Sequence, residues 1–140
     1  MNYYQAKTEG DFKFIASLFS PDHTEYMLTK KVDYKHLMKS GQSEYRHNFI
    51  ATVDGKKIAW FNLVQSDDLG RVNFGMIVDK VYQGMGYGQQ IMEIIENEAK
   101  KLGAKKIRLG VFQDNNPAVH IYKKFGFKET GKVINMEKKL

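Results

Sequence analysis

Three glycines at alternate positions, Gly84, Gly86 and Gly88 in "VYQGMGYGQQ" (81–90), lie between an apolar alternating run and an amphipathic one. A single glycine there reads as a tight turn. Three in five residues leave consecutive backbone N–H groups with few side chains in front of them. The helix that follows adds orphan donors and the positive end of its dipole. Together these make an anion cradle, and phosphate is the anion such cradles take. The dinucleotide fingerprint G-x-G-x-x-G does not fit the spacing, and no acidic residue closes a second strand about 20 residues on. The nucleotide loop needs Gly-Lys-Ser/Thr, which is absent. What stays is Gln83-x-x-Gly86-x-Gly88 after a strand. A second stretch, "NNPAVHIYKKFGF" (115–127), carries Tyr122. A phenol with its ordinary pKa near ~10 is protonated at neutral pH and can hand that proton to a departing anion. The bland readings stand beside these. Tyr122 shares an apolar stripe with Ile121 and Phe125 and reads equally as a half-buried core tyrosine. Asn115 reads as turn chemistry, and Gln83 as exposed polar filler.

The elements that must position these residues follow from periodicity. "YYQAK" near residue 3 is a first strand. "DFKFIASLF" places Phe12, Ile15 and Phe19 at helical spacing, with Asp11 as N-cap. Residues 20–41 are helical in part and end at Gly41. "YRHNFIATV", an Asp-Gly turn, "IAWFNLVQ", a second turn at "SDDLG" and "RVNFGMIV" predict a three-strand meander. The helix after the glycines carries Ile91, Ile94, Ile95, Ala99 and Leu102 on one stripe and closes at Gly103. "KKIRLGVF" is the next strand. A short helix begins at Asn116 (N-cap) and Pro117 (first helical position), and "GFKETGKVINMEKKL" closes with a turn and a strand. Antiparallel strands followed by two β–α units predict one α/β (α+β) domain over 1–140, with a mixed, mostly antiparallel central sheet and helices on both faces.

Gln83-x-x-Gly86-x-Gly88 resembles motif A of the GNAT superfamily of N-acetyltransferases, written Q/R-x-x-G-x-G/A. Asn115, Ala118, Tyr122, Gly126 and Phe127 match the later N-x-x-A-x-x-x-Y…G-F of the same family, and the distance between the two motifs fits. The resemblance covers nearly the whole chain; over the first ~40 residues it extends only to helix content. It implies a GNAT-like acyl-CoA fold with acetyl-CoA in a splayed gap between the strand ending near Val78 and the strand ending near Phe112. It implies a pyrophosphate on the amides of Gln83, Gly84, Met85, Gly86, Tyr87 and Gly88. The pantetheine arm would pair with the backbone of Met76, Ile77 and Val78 and with Asn115, and Tyr122 would protonate the leaving thiolate. The activity implied is transfer of an acetyl group to a primary amine of a small molecule or peptide. In many members an acidic residue stands two positions ahead of Gly75. Here that residue is Asn73, so the general base is open among Glu25, Asp33, Glu44 and water.

Composition bounds the alternatives. A chain of 140 residues with 42% hydrophobic and 27% charged residues can bury a core and is not disordered. There is no cysteine, which excludes disulfides and thiol nucleophiles. His23, His36 and His47 lack metal-ligand spacing, so no metal is expected. "MNYYQAKTEGDF" shows no apolar h-region and no run approaches a membrane span, which predicts a soluble cytoplasmic protein without membrane partners. The net charge of +6 favours an anionic ligand. The lysines are scattered pairs without interleaved aromatics, so no nucleic-acid partner is expected. A homodimer is expected only by analogy. The alternative to an enzyme is a non-catalytic acyl-CoA-binding or sensor module of the same fold. The acceptor is open: "SPDHTEYMLTKKVDY" mixes Asp22, Glu25 and Asp33 with Tyr26 and Tyr34, as a cationic amine would need, but Lys30 and Lys31 argue against a strongly acidic pocket.

Overall fold

The computed structural model describes residues 1–19, 33–41, 43–66, 70–111, 113–131 and 136–139. Alternation builds a five-stranded sheet in the order β1 (Asn2–Gln5), β2 (Arg46–Val53), β3 (Lys56–Gln65), β4 (Arg71–Val78), β5 (Lys106–Arg108). The first three pairings are antiparallel. The last, β4 with β5, is parallel and runs only from Arg71↔Lys106 to Asn73↔Arg108.

Side chains alternate across the sheet, so each strand feeds two cores. Ala51, Phe61, Leu63, Val72 and Phe74 pack against Ile91, Met92, Ile95 and Ala99 of α3 (Tyr87–Lys101). Tyr122 of α4 (Asn116–Lys124) packs on the same side. Ile50, Trp60 and Ile77 face the other way, onto Phe12, Ile15 and Leu18 of α1 (Glu9–Leu18) and Leu37 and Met38 of α2 (Tyr34–Gly41). Helices therefore cover both faces, as the order of elements predicts. Each fully buried Phe, Leu or Ile contributes about 1.5–3 kcal/mol. Gly41 is required by packing: a Cβ there would lie 2.9 Å from the Phe12 ring and 3.2 Å from the Asn48 amide nitrogen.

Several boundaries differ from the sequence reading. Thr8, not Asp11, is the N-cap of α1. Asp11 is the third helical residue and completes a capping box by bonding back to the Thr8 N–H. The cap of α4 is Asn115 rather than Asn116, which moves Pro117 to the second helical position. The helix after the glycines begins at Tyr87. The strand expected over 105–112 pairs only at Lys106–Arg108, because β5 parts from β4 beyond that point. Residues 127–131 and 136–139 form no strand. The remainder of the expected closing strand (132–135), Phe112, and the stretch with Asp22, His23, Glu25, Tyr26, Lys30 and Lys31 lie outside the described residues.

Candidate functional site

The parting of β4 from β5 creates the site. From Phe74 to Val78, β4 is paired with β3 on one side. On its other side it meets no strand among the described residues; Leu109, Gly110 and Val111 stand across a gap instead. A cavity of about 1170 Å³ fills the gap and continues over the α1/α2 face of the sheet.

At the foot of β4 a 3₁₀ turn (Lys80–Tyr82) leads into the glycine loop. Gly84 and Gly86 have φ of 75° and 86°, in the left-handed region that suits glycine. Gly86 is the N-cap of α3 and gives it no side-chain cap. The first backbone bond returned by the helix is Gln90 N–H to the Gly86 carbonyl, 3.3 Å. The N–H groups of residues 84 to 89 accordingly donate to no backbone acceptor among the described residues. A Cβ built on Gly84, Gly86 or Gly88 would meet no protein atom within 4 Å, so the space in front of those amides is open. Six free donors at the positive end of a 15-residue helix make a cradle for phosphate. The Gln83 amide donates to the Val78 carbonyl at 2.9 Å and ties the loop to the end of β4.

Asn115 opens α4, its side-chain oxygen accepting from Ala118 N–H at 3.4 Å. The N–H₂ group remains for the cavity, which Asn115 lines. Tyr122 sits about two turns on, its ring edge-on to Phe74 (5.9 Å) and Phe127 (5.8 Å). Tyr122 lines the cavity, and burial pushes its phenol above the ordinary tyrosine value, so it is protonated at neutral pH.

The structure thus brings Met76, Ile77, Val78, Gln83, Gly84, Gly86, Tyr87, Gly88, Asn115 and Tyr122 around one cavity. Met85 lies in the same loop but turns outward, 61% exposed, and does not line it. Asn73 is exposed and outside the lining, as are Asp33 and Glu44. Among the described residues no aspartate or glutamate lines the cavity at all.

Sequence reasoning missed the half of the cavity over the α1/α2 face: His36, Ser40, Arg46, Asn48, Trp60 and Asn62. Asn48 stands opposite Asn62, and Asn62 opposite Gly75, so the three form one row across β2, β3 and β4. The Trp60 indole donates to Asn48 Oδ1 (3.0 Å), and Gly75 N–H donates to Asn62 Oδ1 (2.7 Å). Gly75 permits this approach: a Cβ there would lie 3.2 Å from that oxygen and 3.3 Å from the Trp60 ring. The available signal was an asparagine of the right parity inside each of two apolar strands.

Residues 12–127 match the family model described as acetyltransferase (GNAT) family. The chain is 29% identical over 115 residues to the uncharacterised N-acetyltransferase YdgE of Bacillus subtilis, covering 76% of this chain and 70% of that protein. It is 40% identical over 86 residues to the L-amino acid N-acetyltransferase AaaT of Escherichia coli, 59% of this chain and 53% of the relative. Its fold is similar to the spermidine N-acetyltransferase of Vibrio cholerae solved with CoA and spermine, with a TM-score of 0.82 over 93% of this chain and 82% of that one at 21% identity, a likeness of fold alone.

Proposed function

The chain belongs to the acetyltransferase (GNAT) family, and on that premise we propose that it transfers an acetyl group from acetyl-CoA to the primary amine of a small molecule or peptide. One observation carries the reading: the glycine loop (Gly84, Gly86, Gly88), the unpaired side of β4 and Tyr122 all border the same cavity. Bound acetyl-CoA supplies an activated acetyl thioester and several phosphate charges. The chain's own residues do the rest. The 84–89 amides hold phosphate, the backbone of Met76, Ile77 and Val78 aligns the extended arm, and the Asn115 amide steadies it. The Val78 carbonyl already accepts from Gln83, so its N–H is the freer partner. Tyr122 keeps a proton at its phenol oxygen for the departing sulfur. As the N–C bond forms and the C–S bond breaks, the amine sheds one proton, which restores the phenol through solvent.

Calorimetry with acetyl-CoA, followed by thiol release over a panel of amines, tests this reading. Saturable binding with release on at least one amine is expected; no binding sinks it. Tyr122→Phe should lower kcat by roughly 10²-fold with acetyl-CoA affinity unchanged, and full activity in that variant would remove the acid role. A second reading, a non-catalytic acyl-CoA-binding module, draws on the lack of a lining carboxylate that could serve as base; binding without release on any amine would favour it.

A further inference from the structure

The names of the relatives include both amino-acid and polyamine acceptors, so acceptor chemistry must come from the pocket. The half of the cavity over the α1/α2 face is rich in hydrogen-bond donors. Asn48 and Asn62 each already accept one bond at Oδ1, one from an indole N–H and one from a backbone N–H. Both partners are obligate donors, which fixes the orientation of the two amides. Each asparagine therefore presents two N–H donors against one remaining lone pair to anything that enters. Asn48 is also buried, at 9% exposure, where an unpaired donor is costly. Arg46 lies two residues before Asn48, at the same parity of β2, and lines the same space. It makes no ion pair with the described residues. His36 adds a second nitrogen-bearing ring. The Ser40 hydroxyl spends its proton on the Leu37 carbonyl (3.2 Å), so its oxygen stands as an acceptor.

Among the described residues, a polycation would find no counter-charge on these walls. An amine with an anion a short distance away would find a good fit. The row Asn48–Asn62–Gly75 crosses two strand spacings, about 10 Å, and ends at the strand that borders the gap. Arg46 starts about 7 Å further along β2, and its side chain shortens that interval.

Resting on the acetyltransferase reading above, we propose that the acceptor is an amino acid-type compound. Its carboxylate is held by the Arg46 guanidinium and the Asn48 and Asn62 amides, and its primary amine is directed toward Gly75 and the β4 gap. Arginine suits this task because its fork binds carboxylate through two parallel N–H bonds.

The test compares kcat/KM for amino acids, their carboxamides, the corresponding decarboxylated amines and spermidine, using protein shown by calorimetry to bind acetyl-CoA. Amino acids should be favoured over their carboxamides by about 10- to 100-fold, the worth of a charge-assisted contact. Arg46→Gln should raise KM for the amino acid by a similar factor and abolish that preference, with acetyl-CoA affinity unchanged; Arg46→Lys should restore part of it. Equal or better turnover of carboxamides or spermidine overturns the proposal and leaves the transferase reading intact. So does failure of every amino acid to bind the CoA-loaded protein. Loss of acetyl-CoA binding itself would instead sink both.

Discussion

Asp11 touches no part of the cavity, yet it holds α1 against the sheet. Its carboxylate accepts from the Tyr4 hydroxyl (2.8 Å) and from Lys7 N–H (3.1 Å) and Thr8 N–H (3.2 Å), and pairs with Lys57 of β3 at 3.2 Å. Burial works against the charge, but these contacts outweigh it and hold the carboxyl well below its usual range. Burial and the Asp11 bond push Tyr4 the other way, up to about 12. A carboxylate depressed in the folded state contributes stability that is complete above the unfolded value near ~3.9 and disappears as pH falls through the folded value. The raised phenol contributes below its unfolded value near ~10 and loses that contribution as pH rises through about 12. Asp11→Asn should cost about 2–4 kcal/mol in denaturant unfolding at pH 7. The variant should also lose less stability than the parent as pH falls below about 4, the range in which linkage removes the contribution of a salt-bridged aspartate. A parallel loss in both proteins would show that Asp11 is not the titrating group. The two-part signal for this role, Thr8-x-x-Asp11, was readable in the chain as a capping box; taking Asp11 itself for the cap hid the hub.

At the scale of elements, α3 would hold the proposed donor through its N-terminus, where Gly86 supplies no side-chain cap. Replacing Gly86 by leucine asks an L-residue to hold φ near 86° and puts a side chain into open space before the amides. Its packing neighbours do not object, so the protein should still fold, with a loss of about 1–3 kcal/mol for the strained backbone, while acetyl-CoA binding in calorimetry should fall below detection. Unchanged affinity would remove the cradle assignment. The glycine loop, the meander and the stripe of α3 were legible because each depends on local spacing. The length of β5 was not. "KKIRLGVF" alternates to its end, but a strand exists only where a partner continues beside it, and β4 and β5 separate after Asn73↔Arg108. The row of Asn48, Asn62 and Gly75 was hidden for the same reason: it is perpendicular to the chain and exists only through register.

For the whole molecule, a net charge of +6 and a cavity whose described lining holds arginine and histidine but no carboxylate favour anions at every stage of approach. Ligand binding to the folded state alone should raise the melting midpoint. At a concentration 100-fold above Kd the gain is about 2.7 kcal/mol, or on the order of 8 °C for a domain of this size, and the shift should shrink as salt is added. A midpoint indifferent to acetyl-CoA would contradict the assignment at this scale. Among the described residues no helix is long and apolar enough to cross a membrane. The sheet's divided labour has a last consequence. Where β4 leaves β5, the proposed donor would be read mostly by main-chain groups, which substitution can obstruct but not exchange. Across the sheet the proposed acceptor would be read by the side chains of Arg46, Asn48 and Asn62, which mutation replaces freely. On that reading one half of the cavity asks of the sequence little beyond its glycines and the other depends on each side chain, so the fold can change what it modifies without relearning what it spends.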